Sequence, residues 1–191
     1  MNDRIGSAPD LQRLLAADVL AASTLICTTP DLTRRLLACR RAAPTLGELL
    51  VARIGDLPPA LGGVQALLLG MDAAALAVLA ARAGAVRHAR SLLRLLDGAA
   101  LRALDGVFGS GPRNDALRLH ALVAGAPPPD GADPLEAAIP RDGMGCLRAW
   151  CGRQPAAVGE RVMLLLPAGM VPVGTEAALG ADIVDALVAG V

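Results

Sequence analysis

The side chains able to do covalent or metal chemistry are few and far apart. Two histidines, His88 and His120, and four cysteines, Cys27, Cys39, Cys146 and Cys151, are the whole stock of imidazole and thiol groups. A nucleophilic site needs a thiol or hydroxyl within reach of a base, and neither histidine stands beside Cys, Ser or an acid in such an arrangement. His88 follows Arg87 beside a run of arginines and is expected at the surface. His120 lies among Leu119, Leu122 and Val123 and is expected as a partly buried helix residue. Cys146 and Cys151 are separated by four residues, not the two of a zinc ribbon, and no histidine follows at ligand spacing. Positions five apart on a helix point in different directions, so these two are expected as separate core thiols, and all four cysteines as reduced. GSGPRN (109–114) has the glycines of a phosphate cradle, but no strand precedes it and no GK[ST] follows. Asp182 and Asp185 are expected as solvated charge on a helix surface. The residues therefore point to no catalytic, cofactor-binding or metal-binding site.

One surface feature has a shape. Arg87, Arg90 and Arg94 recur at i, i+3 and i+7, within about 60° of one another on a helix of 3.6 residues per turn. Two readings of this stripe stay open. It is either a solvated flank, with Arg94 paired to Asp97 for ~0.2–1 kcal/mol, or a docking site for an acidic protein surface, where arginine offers forked hydrogen bonds and apolar stem area.

The elements that must position these residues are helical. Of 191 residues, 39 are Ala and 34 are Leu, both strong helix formers. Strand-favouring aromatics are nearly absent, Phe108 and Trp150 being the only two. All 18 basic residues are Arg, balanced by 18 acids to zero net charge, without the basic excess and stacking aromatics of a nucleic-acid binder. A hydrophobic share of 54 % and a mean hydropathy of +0.50 argue against disorder.

Helix starts are marked by Ser7 with Pro9, Thr29 with Pro30, Pro44 with Thr45, and Pro58 with Pro59. One long helix is expected over Ala73–Leu96. After the Asp97-Gly98 break follow Ala99–Phe108 and a helix capped by Asp115. Beyond these lie helices over about 142–152, 155–166 and 176–189, the last with Leu179, Ile183 and Leu187 in register. Residues 61–83 have transmembrane length, but Asp72 in their middle costs ~2.5–3.5 kcal/mol. Gly70 as a C-cap and Asp72 as an N-cap divide them into two soluble helices. The expected fold is all-α, an irregular multi-helix bundle of about eight to ten short helices. Residues 1–124 are expected to form a helical body, Pro- and Gly-rich 125–134 a linker, and 135–191 a C-terminal helical segment packed on the body as one domain. No apolar run of signal-peptide length opens the chain, so a cytoplasmic protein is expected.

ALAVLAARAGAVRHARSLLRLLDGAALRALDGVFG (75–109) resembles the central stretch of the SctK/YscK family of type III secretion accessory proteins. In that family a small-residue helix with a Gly leads through an Arg-rich turn and a D-G break to a Leu-x-x-Leu helix closing on Gly. Gly84, Arg87, Arg90, Arg94, Asp97, Leu101, Leu104 and Gly109 stand in those places. ERVMLLLP (160–167) is similar to an element near the family's C-terminus, with Arg161 and Pro167 matching. The N-terminal region departs from the family in lacking its aromatic and His residues. The resemblance implies a non-enzymatic adaptor of the sorting platform, without cofactor, peripheral at the cytoplasmic face of the secretion apparatus. It would join an SctD-like inner-membrane ring component to an SctQ-like pod protein, with no nucleic-acid partner and no direct membrane insertion. The Arg stripe would then be a partner-binding surface. Two alternatives of other classes are a helical small-molecule-binding regulator, which needs a sizeable interior pocket, and a small cysteine-dependent enzyme, which needs His88 or His120 against a thiol.

Overall fold

The computed structural model describes residues 29–95, 98–127, 133–167 and 175–190. The helix expected after Ser7, together with Cys27 and Asp97, lies outside these residues. Among the described residues there are ten α-helices, one 3₁₀ segment and no strand, which makes the protein all-α as its composition implies. The helices are α1 (Pro30–Ala38), α2 (Ala43–Ile54), α3 (Gly63–Leu69), α4 (Ala73–Arg87), α5 (Ala89–Arg94), α6 (Gly98–Phe108) and α7 (Gly111–Leu119). The 3₁₀ segment His120–Val123 is followed by α8 (Leu135–Arg153), α9 (Ala156–Met163) and α10 (Thr175–Ala189).

Several boundaries follow from local chemistry. Thr29 caps α1, its hydroxyl accepting the Leu32 N–H at 3.4 Å, with proline in the first turn. Gly70 closes α3, its N–H donating to the Ala66 carbonyl at 3.2 Å. α3 begins at Gly63, not at Pro58: a residue before proline is pushed out of the helical region. The Gln65 side chain accepts the Gly62 N–H at 2.9 Å and so fixes the later start. The long helix expected over Ala73–Leu96 is two, divided at His88. α8 starts seven residues before Asp142, where the helix is expected to begin, and runs through Pro140. Asp115 is not a cap but lies inside α7.

The chain forms two compact units, each discontinuous in sequence: Met1–Ala73 with Gln154–Gly169, and Ala74–Arg153 with Met170–Val191. Of the stretch 125–134, the described residues 125–127 and 133–134 belong to the second. In the first unit α9 packs on α2 and α3, burying Val158 and Val162 with Leu46, Ile54 and Leu68. Arg161 shares this core at 2 % exposure. Its guanidinium donates to the carbonyls of Ala157 and, at 3.0 Å, of Gly55. Gly55 ends α2 at φ +88°, a conformation that glycine alone adopts cheaply. Burial lowers the Arg161 pKa, against the pull of Asp56, and its Nε is buried without a partner.

In the second unit α8 packs along α10, with Leu147, Trp150, Ile183 and Leu187 fully buried. The Trp150 indole N–H donates to Asp185 at 2.8 Å, and Arg153 reaches both Asp182, at 2.6 Å, and Asp185. α4 meets α8 backbone to backbone. A Cβ on Gly84 would overlap the Ile139 carbonyl, and one on Gly143 would overlap the Ala80 carbonyl. Backbone cannot yield as a flexible side-chain tip can, so Gly84→Ala or Gly143→Ala should destabilise the protein by about 3 kcal/mol. Gly106, inside α6, has open space around its Cα, and Gly106→Ala should stabilise by ~0.5–1 kcal/mol. Chemical denaturation followed by circular dichroism checks both, and equal effects at the two kinds of site would refute the packing argument.

Candidate functional site

The helix break at His88 divides the arginine stripe. Arg87 ends α4 at 8 % exposure and points into the second unit. Its Nη1 donates to the Pro127 carbonyl at 3.1 Å and its Nη2 to Glu176 at 2.9 Å. Arg90 and Arg94 are exposed on α5. Arg90 donates to the Ala126 carbonyl at 3.1 Å. On this short helix Leu92 faces inward and Leu93, 47 % exposed, stands between the two arginines. The surface part of the stripe is therefore Arg90 and Arg94 with a leucine, while Arg87 is a buried tie.

His88 is not a surface residue. It is 6 % exposed, and its Nε2 donates to Asp142 at 2.7 Å. The turn between α4 and α5 aims the ring at α8, a partner 54 positions away that no local pattern reveals. Asp142 also accepts from Arg141 at 2.8 Å, and Arg141 reaches Asp133. Burial raises the Asp142 pKa, but hydrogen bonds from Arg141 and His88 outweigh it and hold the carboxyl below the usual carboxylate range. Asp115 is the parallel case. Burial raises it, while Arg82 at 2.5 Å and Arg118 at 3.1 Å bring it down overall.

His120, expected to be partly buried, is exposed and donates from Nδ1 to the Leu117 carbonyl at 2.9 Å; the change from α to 3₁₀ winding there turns it outward. Cys146 and Cys151 are separate buried thiols, as their spacing implied. Burial pushes Cys146 up to about 12, so it stays protonated at neutral pH and is a poor nucleophile. Cys39 is exposed and its thiol is held below the usual value by backbone N–H groups of Ala42 and Arg41. Asp182 and Asp185, expected as solvated charge, share Arg153.

Among the described residues no group of three His, Cys, Asp or Glu is placed to hold a metal ion, and no helix is long and apolar enough to cross a membrane. A recess lined by Leu92, Leu101, Leu104, Phe108, Pro112 and Ile139 has about 20 Å³ of space, room for about one water molecule. What the described geometry defines is a two-unit helical protein with one basic and apolar helix face turned to solvent. No family model matches the chain, and neither a curated protein nor a solved structure matches it.

Arg87→Ala should cost ~1–3 kcal/mol, because a buried side chain with its bonds to the Pro127 carbonyl and Glu176 is lost, whereas Arg94→Ala should stay within about 0.5 kcal/mol of the parent. Equal destabilisation by the two in a denaturant titration would contradict the divided stripe. The depressed carboxyls set an acid limit. Their contribution is complete above the unfolded Asp value of ~3.9 and is lost as pH falls through the lower folded values. Stability measured by denaturant titration should therefore hold between about pH 7 and 5 and fall below about pH 4, with a shallower acid slope in Asp142→Asn or Asp115→Asn.

Proposed function

We propose that this chain is a non-enzymatic adaptor of a bacterial type III secretion sorting platform, acting at the cytoplasmic face of the apparatus. It would hold an SctD-like inner-membrane ring domain and an SctQ-like pod protein together. The reading is supported chiefly by where the residues that carry the family resemblance lie. Gly84 sits at the α4–α8 crossing, Arg87 is tied inside the second unit, Leu104 is buried, and Gly109 turns the chain at φ +76° between α6 and α7. Arg161, from the second matching element, lies in the core of the first unit. Packing and backbone geometry restrict residue type at such positions, so the likeness rests on residues that shape the fold more than on bulk Ala and Leu content.

An adaptor needs rigid surfaces with separate contacts, and two compact helical units suit that role. The exposed Arg90 and Arg94 are the candidate contact, since arginine combines forked hydrogen bonding with apolar stem area. Arg87, buried and paired, is part of their support.

Co-purification tests the proposal. The tagged chain should capture the ring domain, the pod protein or both, and deletion of its gene should abolish secretion. Failure to capture either component, with secretion intact after deletion, would sink it.

A further inference from the structure

We infer that the outer face of α5, together with the adjoining 3₁₀ segment, docks an acidic amphipathic helix of a partner protein. That the face serves in a complex rests on the adaptor reading; the chemistry of its occupant comes from the residues themselves. Arg90, Leu93 and Arg94 project from α5 on the side away from buried Leu92. The bond from Arg90 to the Ala126 carbonyl joins this face to the chain just beyond the 3₁₀ segment, where Leu122 is 41 % exposed. The result is a small surface of two guanidinium groups and two leucines.

Charge decides what fits it. Arg34, Arg82, Arg87, Arg113, Arg118, Arg141 and Arg153 each meet a carboxylate of this chain. Arg90 and Arg94 meet none among the described residues, as is true of Arg35, Arg40, Arg41, Arg53 and Arg102. Here, however, the two cations stand one turn apart beside exposed Leu93, and Arg90 is held by a neutral carbonyl. A guanidinium fixed in place loses less side-chain freedom on binding, and its remaining N–H groups form a fork matched to carboxylate. The two arginines are one helical turn apart, ~5.4 Å along the axis, the spacing at which a partner helix repeats its own side chains. An occupant with Glu or Asp one turn apart, flanking a Leu or Ile that covers Leu93 and Leu122, satisfies both the charge and the apolar area. A nucleic acid is the poorer fit, since no aromatic side chain stands on this face for a base to stack on.

Fluorescence anisotropy with a labelled helical peptide carrying Glu pairs one turn apart around leucines tests the inference, with a Lys-for-Glu peptide and a duplex DNA oligonucleotide as comparisons. The acidic peptide should bind, and more weakly as NaCl rises from about 50 to about 300 mM. Arg90→Glu with Arg94→Glu should weaken it by at least about tenfold, and Leu93→Asp should do the same. Arg94→Glu alone, at an exposed position with no carboxylate partner among the described residues, keeps the test valid if either other variant loses its helical circular dichroism. Equal binding of the Lys peptide, binding of the DNA as tight as that of the acidic peptide, or an unchanged acidic-peptide affinity in the arginine variants would overturn the inference. Co-purification separates its fate from that of the adaptor reading. Capture of ring or pod protein that is indifferent to Arg90 and Arg94 removes this surface and leaves the adaptor standing. Peptide binding at α5 without capture of either component does the reverse.

Discussion

Two helices can touch backbone to backbone only where both lack side chains, and α4 and α8 do so at Gly84 and Gly143. The arrangement is reciprocal. Each glycine faces the carbonyl four residues earlier on the other helix, Ile139 for Gly84 and Ala80 for Gly143, a geometry that suits weak Cα–H donation as well as close packing. What lies nearby follows from it. One turn beyond Gly84 the chain reaches Arg87 and His88, and one residue before Gly143 stands Asp142, so the crossing delivers the imidazole to its carboxylate. The break at His88 then sends α5 off in a new direction, with Arg90 and Arg94 outward. The exposed basic face is set, through these steps, by two absent methyl groups in the interior.

The helices themselves were legible in the sequence because their signals are local. Thr29 with Pro30, Gly70, and the Leu179–Ile183–Leu187 spacing each act within a turn or two of where they stand. Reading failed where the deciding contact is distant. Arg87 looked like a third member of a surface stripe because Glu176 is 89 positions away; Asp115 looked like a cap because Arg82 is 33 positions away. α8 also begins earlier than its expected start near Asp142: it runs through Pro140, and Ala138 and Ile139, the two residues before that proline, are buried against the rest of the unit. Of the candidate site, the exposure of Arg90 and Arg94 was legible and the burial of Arg87 was not, since helical spacing gives angular position but does not say which angles are covered.

The complete absence of lysine acquires a physical meaning inside this fold. Arg87 serves a carbonyl and a carboxylate at once, Arg153 two carboxylates, and Arg161 two carbonyls. Each task uses the planar, multiply donating guanidinium, which the compact ammonium of lysine reproduces poorly. Among the described residues seven arginines meet a carboxylate of this chain, six of them in the second unit. Arg90 and Arg94 on α5 meet none among the described residues.

Trp150 is the only tryptophan, and the chain has no tyrosine. Its indole is wholly buried between α8 and α10, with its N–H on Asp185. Its near-ultraviolet emission therefore reports on the second unit alone, while the first, built around Val158, Val162 and Arg161, is optically silent at those wavelengths. Any loosening of the first unit, at equilibrium or in time, passes unseen by intrinsic fluorescence and is visible only to probes of the backbone. The two units thus come with a built-in spectroscopic separation, and a comparison of the two signals reads out whether they melt as one body or as two.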